Sequence, residues 1–280
     1  MSATHRPTLT TLVERALRDD CRLERGERIL LAVSGGGDSM AMLHVMASLA
    51  STHGLDLYAH GVNHGLRHEA ALELDEAERF AESLGVPFAR SNLQVPKGTN
   101  LQARAREQRY TALRSVARGL GPCCIATAHH ADDRAETVLI RLMRGSGPTG
   151  LGVLAPRTGD LIHPLIRASR MDIRDHLARH GIAFAEDPSN RDQSYLRTRI
   201  RFELMPRLLA ESPGIVQHLN SLADRMIEIA DDNPMNSLDF SRRQADELKR
   251  MLHVRRDGAE IALGEGWVLK LEKRRIRSPL

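Results

Sequence analysis

The stretch LLAVSGGGDSMAMLH, residues 30–44, limits most strongly what this chain can fold into. An apolar run breaks at Ser34-Gly35-Gly36-Gly37 and resumes after Asp38-Ser39. A short, unbroken apolar run ahead of glycines reads as a strand covered on both faces, and the longer run after them as a helix. Where a strand turns through glycines into a helix, the N–H groups of the helix start converge on an anion. Glycine lets the backbone take positive φ angles and come close to a phosphate. Ser34 and Ser39 offer hydroxyl donors. Asp38 would repel a bare phosphate and makes sense only with Mg²⁺ between them. Ser34, Gly35, Gly36, Gly37, Asp38 and Ser39 are therefore the candidate nucleotide-phosphate loop. It is neither a GK[ST] loop nor a GxGxxG turn, and its apolar flanks are not those of a linker.

The rest of the chain repeats the alternation. Strands are expected at 28–33, 55–62, 86–90 and 123–128, and helices at 38–49, 69–84, 100–118 and 132–143. Alternating strands and helices of this length mean βαβ units, so the fold class is α/β, a parallel sheet with helices on both faces. In such sheets the ligand site lies at the carboxyl ends of the strands, where every polar cluster described below falls. After Gly145 a Gly/Pro-rich loop intervenes, then a strand-like 161–166 and a helix 170–180 closed by Gly181. Pro213-Gly214 marks a break. We expect a catalytic domain over 1–213 and a short, mostly helical, basic region over 214–280. The latter holds a helix at 214–232, another near 244–252 and a hairpin within 259–271.

Composition narrows the function. Aromatics are 3% of the 280 residues, too few for base stacking on an aromatic platform to dominate. The net charge is only +4, but 191–207 holds five Arg against two acids, and the tail adds Lys273-Arg274-Arg275. Basic surface beside a phosphate loop invites a polyanion. The three cysteines include the adjacent pair Cys123-Cys124 and form no CxxC, so neither a zinc ribbon nor a redox dithiol is indicated. With no apolar run near 18 residues and no signal-peptide core, the chain reads as cytoplasmic, with no membrane partner.

Three further clusters carry chemistry. In HHADDRAET, Asp133, Glu136 and Thr137 share a helix face. An acid pair there can hold Mg²⁺, His129 or His130 can reach phosphate or base, and Asp132 is placed to cap the helix. In AHGVNHGLRHEA, His64 is expected to line the site, while His60 and His68 are expected to be structural. In NLQARAREQRY, Arg106 and Arg109 are helical neighbours able to neutralise pyrophosphate or guide RNA phosphate.

SGGGDS resembles the SGGxDS loop of the N-type ATP pyrophosphatases, the PP-loop family. Together with NHGLR, NLQARAREQRY, TAHHADDRAETVLIRLMRGSGPTGL, HPLI and EDPSNRDQSYLRTRIR, in that order over roughly 28–210, it closely resembles the tRNA(Ile)-lysidine synthases. The resemblance implies an ATP- and Mg²⁺-dependent ligase. It would adenylate the wobble cytidine of CAU-anticodon tRNA(Ile) and join L-lysine to it. It also implies roles. Asp38 and Asp133 are the Mg²⁺-linked acids. His129, Arg109 and Arg201 belong to the reacting centre, His64 and Glu136 to the substrate site. Arg197, Arg199 and Arg201 face tRNA backbone. Relatives leave room for a homodimer. Thr198 and Gln102 depart from residues common in the family, and the tail is shorter than in many members. The alternatives are another PP-loop adenylating enzyme, such as a tRNA thiolase, and a non-catalytic RNA-binding remnant.

Overall fold

A computed structural model describes residues 7–63, 65, 69–93, 98, 101–121, 123–185, 192–231, 260–264, 267–272 and 275–277. In chain order the first elements are α1 (Leu9–Arg15), β1 (Arg28–Val33), α2 (Gly37–His53), β2 (Asp56–Asn63), α3 (Glu69–Ser83), β3 (Phe88–Asn92) and α4 (Leu101–Gly119). Next come β4 (Cys124–Ala126), α5 (Ala131–Met143), α6 (Pro148–Leu151), β5 (Arg157–Thr158), β6 (Leu161–Ile162), α7 (Arg170–His180), α8 (Leu196–Arg199), α9 (Met205–Glu211) and α10 (Ile215–Asp231). Three short strands, β7 (Glu260–Gly264), β8 (Trp267–Glu272) and β9 (Arg275–Arg277), follow.

The main sheet has the order β3-β2-β1-β4-β6-β5. All its pairings are parallel except the β5–β6 hairpin at one edge. The unbroken apolar run of β1 is explained by its central place. Ile29, Leu31 and Val33 bury into one core with α2, while Leu30 buries on the opposite face with Leu113 and Ala117 of α4. From β1 the chain crosses to β2 on one side, whereas β4 lies on the other. This reversal opens a crevice beyond the carboxyl ends of β1 and β4, the usual ligand position in such sheets.

Three strands differ from the sequence expectation by two residues or more, the one expected at 123–128 being confined to Cys124–Ala126. The strand expected at 86–90 begins instead at Phe88, after Pro87, and runs to Asn92. The one expected at 161–166 ends at Ile162. Pro164 has no N–H for a ladder, and the chain turns there, with Ile166 N–H on His163 O and Ala168 N–H on Leu165 O.

The chain forms two compact units, Met1–Asp224 and Arg225–Leu280. The first runs past the Pro213-Gly214 break because Leu219 and Ala223 bury against Ala135 and Val138 of α5 together with Ile200 and Met205. In the second, β7, β8 and β9 pair antiparallel as one small sheet, so the expected hairpin gains a third strand. The helix expected near 244–252 lies outside the described residues.

Candidate active site

The glycine turn is shaped from within and from behind. Gly35 has φ +82, and a Cβ there would lie 2.7 Å from the backbone oxygen of Glu73. Only glycine fits. Gly36 caps α2 in extended backbone, and Gly37 opens the helix under Phe184 and Leu177. The buried Ser39 hydroxyl donates to Gly36 O (2.8 Å) and accepts from Ser34 N–H (3.1 Å). Its oxygen thus clasps the loop, a use distinct from the anion donor expected of it. Ala185 N–H donates to Gly35 O (3.0 Å), binding the segment after α7 to the loop.

Across the crevice α5 brings its acids together around His130, which is wholly buried. Its Nε2 lies 3.7 Å from Asp38 and 3.6 Å from Asp133, and its Nδ1 lies 3.6 Å from Asp132. Burial alone would keep this imidazole neutral, but Asp133, Asp132 and Asp38 outweigh it and raise its pKa. Asp38 is half-exposed at the rim. Its pKa is raised by partial loss of water and by the charge of Asp133, against the opposing pull of His130. Asp132 does not cap α5, whose N-cap is His130. Its carboxylate reaches across to accept Arg170 N–H (2.8 Å) at the start of α7.

Glu136 is the hub of the arginines. Its buried carboxylate accepts from Arg201 Nε (2.7 Å) and NH2 (2.9 Å), from Arg197 Nε (3.0 Å) and from Arg170 NH2 (3.0 Å). Burial would raise its pKa; the Arg201 guanidinium, with Arg197, overrides that and lowers it. Arg197 and Arg201 also each donate to Asp133 Oδ1 at 3.1 Å. Asp133 is held far below the usual carboxylate range: its burial is outweighed by His130, His129 and Arg197. Asp38, Asp132, Asp133 and Glu136 thus face Arg170, Arg197, Arg201 and His130.

The structure divides the residues selected from sequence. Arg197 and Arg201, one helical turn apart, join the acids. The exposed Arg199 points away and donates to Gln193 O (2.8 Å) and Ser194 O (3.0 Å). Thr198, between them, is buried. Thr137 also leaves the site, its hydroxyl bonding back to Asp133 O (2.7 Å). His129 stands beside Asp133 (3.5 Å), its pKa lowered by burial. Arg106 NH2 approaches its Nε2 at 3.5 Å. Arg109 lies instead against the Tyr110 ring, 5.4 Å from its centroid. His60 is buried on Ser91 Oγ (2.9 Å), a packing role. His64 and His68 lie outside the described residues, as does 186–191. Sequence reading did not single out Arg170, or His163, which bonds Thr127 (2.8 Å) under His129 and is pushed down to about 3, chiefly by burial.

The family model of the PP-loop domain, an ATP-binding model, matches residues 7–208. The chain belongs to the PP-loop family. PP-loop proteins use ATP, and the match includes the glycine turn at residues 34–39. Among curated relatives, the tRNA(Ile)-lysidine synthase of Geobacter sulfurreducens is 36% identical over 91% of this chain and 54% of its own length. That of Bradyrhizobium diazoefficiens is 42% identical over 73% of this chain and 58% of its own. The chain therefore spans little more than half the length of these relatives. A solved U34-tRNA thiolase from Methanococcus maripaludis, with its [4Fe-4S] cluster, superposes with a TM-score of 0.66 at 18% identity, over 79% of this chain and 80% of that one. That likeness supports the PP-loop fold alone. Among the described residues, no helix is long and apolar enough to cross a membrane.

Proposed function

We propose that this PP-loop protein is an ATP-dependent ligase of the cytoplasm that joins L-lysine to the wobble cytidine of a CAU-anticodon tRNA(Ile). The observation that carries the reading is the crevice itself. A glycine loop bearing Asp38 at the start of α2 faces three acids of α5, balanced by three arginines and a histidine. The names of the relatives direct that chemistry to this substrate.

The residues fit Mg²⁺. Asp38 sits at the rim with a raised pKa beside the charge of Asp133, a pair that a divalent cation would relieve. When bound, the ion would neutralise phosphate charge. The N–H groups at the start of α2 would hold the phosphates of ATP. The cytidine carbonyl oxygen then attacks the α-phosphorus and pyrophosphate leaves. Arg197, Arg201 and Arg170, gathered on Glu136 beside Asp133, would supply positive charge as negative charge grows on that phosphorus. The lysine amine next attacks the ring carbon, and AMP departs with the oxygen. His129, kept neutral by burial, can accept the proton the amine loses. Arg199, exposed beyond the cluster, is the member of its run left to meet tRNA backbone.

A thiolase reading is disfavoured by the cysteines. Cys123 and Cys124 stand at the start of β4, the end of the sheet opposite the crevice, and burial pushes the Cys124 thiol up to about 11.

The experiment is Asp38→Ala. Turnover, followed as tRNA-dependent pyrophosphate release, should vanish while tRNA binding stays near wild type. Unchanged release would remove Asp38 from the ATP site; loss of both together would mean the variant had lost its fold.

A further inference from the structure

A second cluster lies on the far side of α2 and takes no part in the chemistry above. His44 of α2 meets His176 and His180 of α7. These two stand four residues apart, so their side chains project from the same face of one helix. The His44 Nδ1 to His176 Nε2 distance is 3.0 Å. The His180 ring lies 4.6 Å from that of His44 and 4.4 Å from that of His176, centroid to centroid. One nitrogen from each of the three converges within 4.8 Å of the others.

We propose that His44, His176 and His180 form a binding site for a divalent transition metal of the zinc, nickel or copper class, clipping α2 to α7. Nitrogens 2.0–2.1 Å from a tetrahedral ion stand roughly 3.3 Å apart, so the closest pair needs almost no movement. His180 is exposed and free to swing in, while His176 is buried and fixed. Packing accounts for His44 and His176, which bond to each other, and for the near-parallel stacking of His44 on Phe80. It does not account for an exposed third imidazole turned onto the same point. The groove in front, of about 380 Å³, is lined by Glu76, Arg79, Phe80 and His180. It leaves the ion's fourth position to water.

Imidazole donors suit zinc, copper and nickel and not Mg²⁺, so this site and the phosphate site would not compete for ions. Its position also sets its role. His44 lies seven residues along α2 from Gly37, about 10 Å from the glycine loop. A metal here cannot touch the reacting atoms. It would instead fix α2, which begins at the phosphate loop, to α7, which begins at Arg170.

The test uses the full chain freed of any histidine tag and of metal by chelation, with Zn²⁺ and Co²⁺ as probes. Saturating Zn²⁺ should raise the melting temperature of the wild type by roughly 5 °C. Co²⁺ should give the visible d–d band of a tetrahedral site. His180→Asn, an exposed change that leaves the fold intact, should lose both signals while keeping the metal-free melting temperature. His180→Cys should restore the band with a thiolate charge-transfer feature. A wild type that neither shifts nor colours would overturn the proposal. So would a His180→Asn variant that responds as the wild type does, because the metal would then sit on other histidines of the chain.

Discussion

The two adjacent glycines Gly35 and Gly36 should fail in different ways when given the same methyl group. Gly35→Ala forces a side chain into left-handed backbone at φ +82, at about 1–2 kcal/mol. It also drives a Cβ to 2.7 Å from Glu73 O, an overpacking of about 1–3 kcal/mol more. Backbone on both sides leaves no flexible end to yield. This variant should melt lower and bind ATP poorly, because its loop is broken. Gly36→Ala is another case. Its φ of −74 and ψ of 154 suit any residue, and its Cβ would find only Ser34 Oγ, at 3.6 Å. Alanine is a poorer cap than glycine, yet it reduces the freedom of the unfolded chain, so stability should move by less than about 1 kcal/mol. If ATP phosphates lie against that backbone, the methyl occupies their place. ATP affinity should then fall roughly 100-fold, about 2.7 kcal/mol, in a protein that melts like the wild type. Thermal melts paired with ATP titration calorimetry read both quantities. A Gly36→Ala variant that binds ATP normally would refute the phosphate-cradle reasoning.

Two other substitutions probe the charge networks. Glu136→Gln removes the carboxylate that three guanidiniums share. Those guanidiniums keep 22–40% of their side-chain surface in water and can rehydrate, so the loss should be about 2–3 kcal/mol, short of the full buried-pair penalty. Because the folded pKa of Glu136 lies below its ordinary 4.5, its stabilisation is complete above that value and is lost as pH falls through the folded pKa. Urea midpoints for wild type and variant should therefore converge on acidification; a constant gap down to the acid transition would contradict the pairing. Asp224→Asn strips the ion partner from Arg134, which is wholly buried and donates to it at 2.6 Å, and one partner from Arg167 at 2.5 Å. Chemical denaturation should show a loss of about 3–4 kcal/mol. A loss under about 1 kcal/mol would mean that α10 is not anchored to α5 by this pair.

What was legible in the sequence was local. The β1–glycine–α2 unit is read within fifteen residues, because apolar run, turn and helix each leave their own pattern in that span. The α5 acids were equally visible, since their spacing fixes a shared face. The partners of those acids were not. Arg197 and Arg201 lie 61–68 residues downstream of Asp133 and Glu136. Periodicity places them on one helix face but does not say which surface that face meets; only the family resemblance puts Arg201 at the reacting centre, and Arg197 reads as RNA-facing. Arg170 carries no motif at all and reaches Glu136 only because α7 starts beside α5. Ser39 and Thr137 show a different limit. Ser39 reads as an anion donor and Thr137 only as sharing the face of the acids, and both hydroxyls donate to the chain's own backbone, at Gly36 O and Asp133 O. Of the adjacent pair His129 and His130, only the three-dimensional path of the chain decides which ring is enclosed by carboxylates.

The most direct test of the account is nucleoside mass spectrometry of CAU-anticodon tRNA(Ile) incubated with the full chain, Mg-ATP and L-lysine. The account predicts a wobble cytidine heavier by one lysine less one water, with AMP and pyrophosphate released in step. A folded protein that leaves the cytidine unmodified, with no tRNA-dependent pyrophosphate, would contradict it.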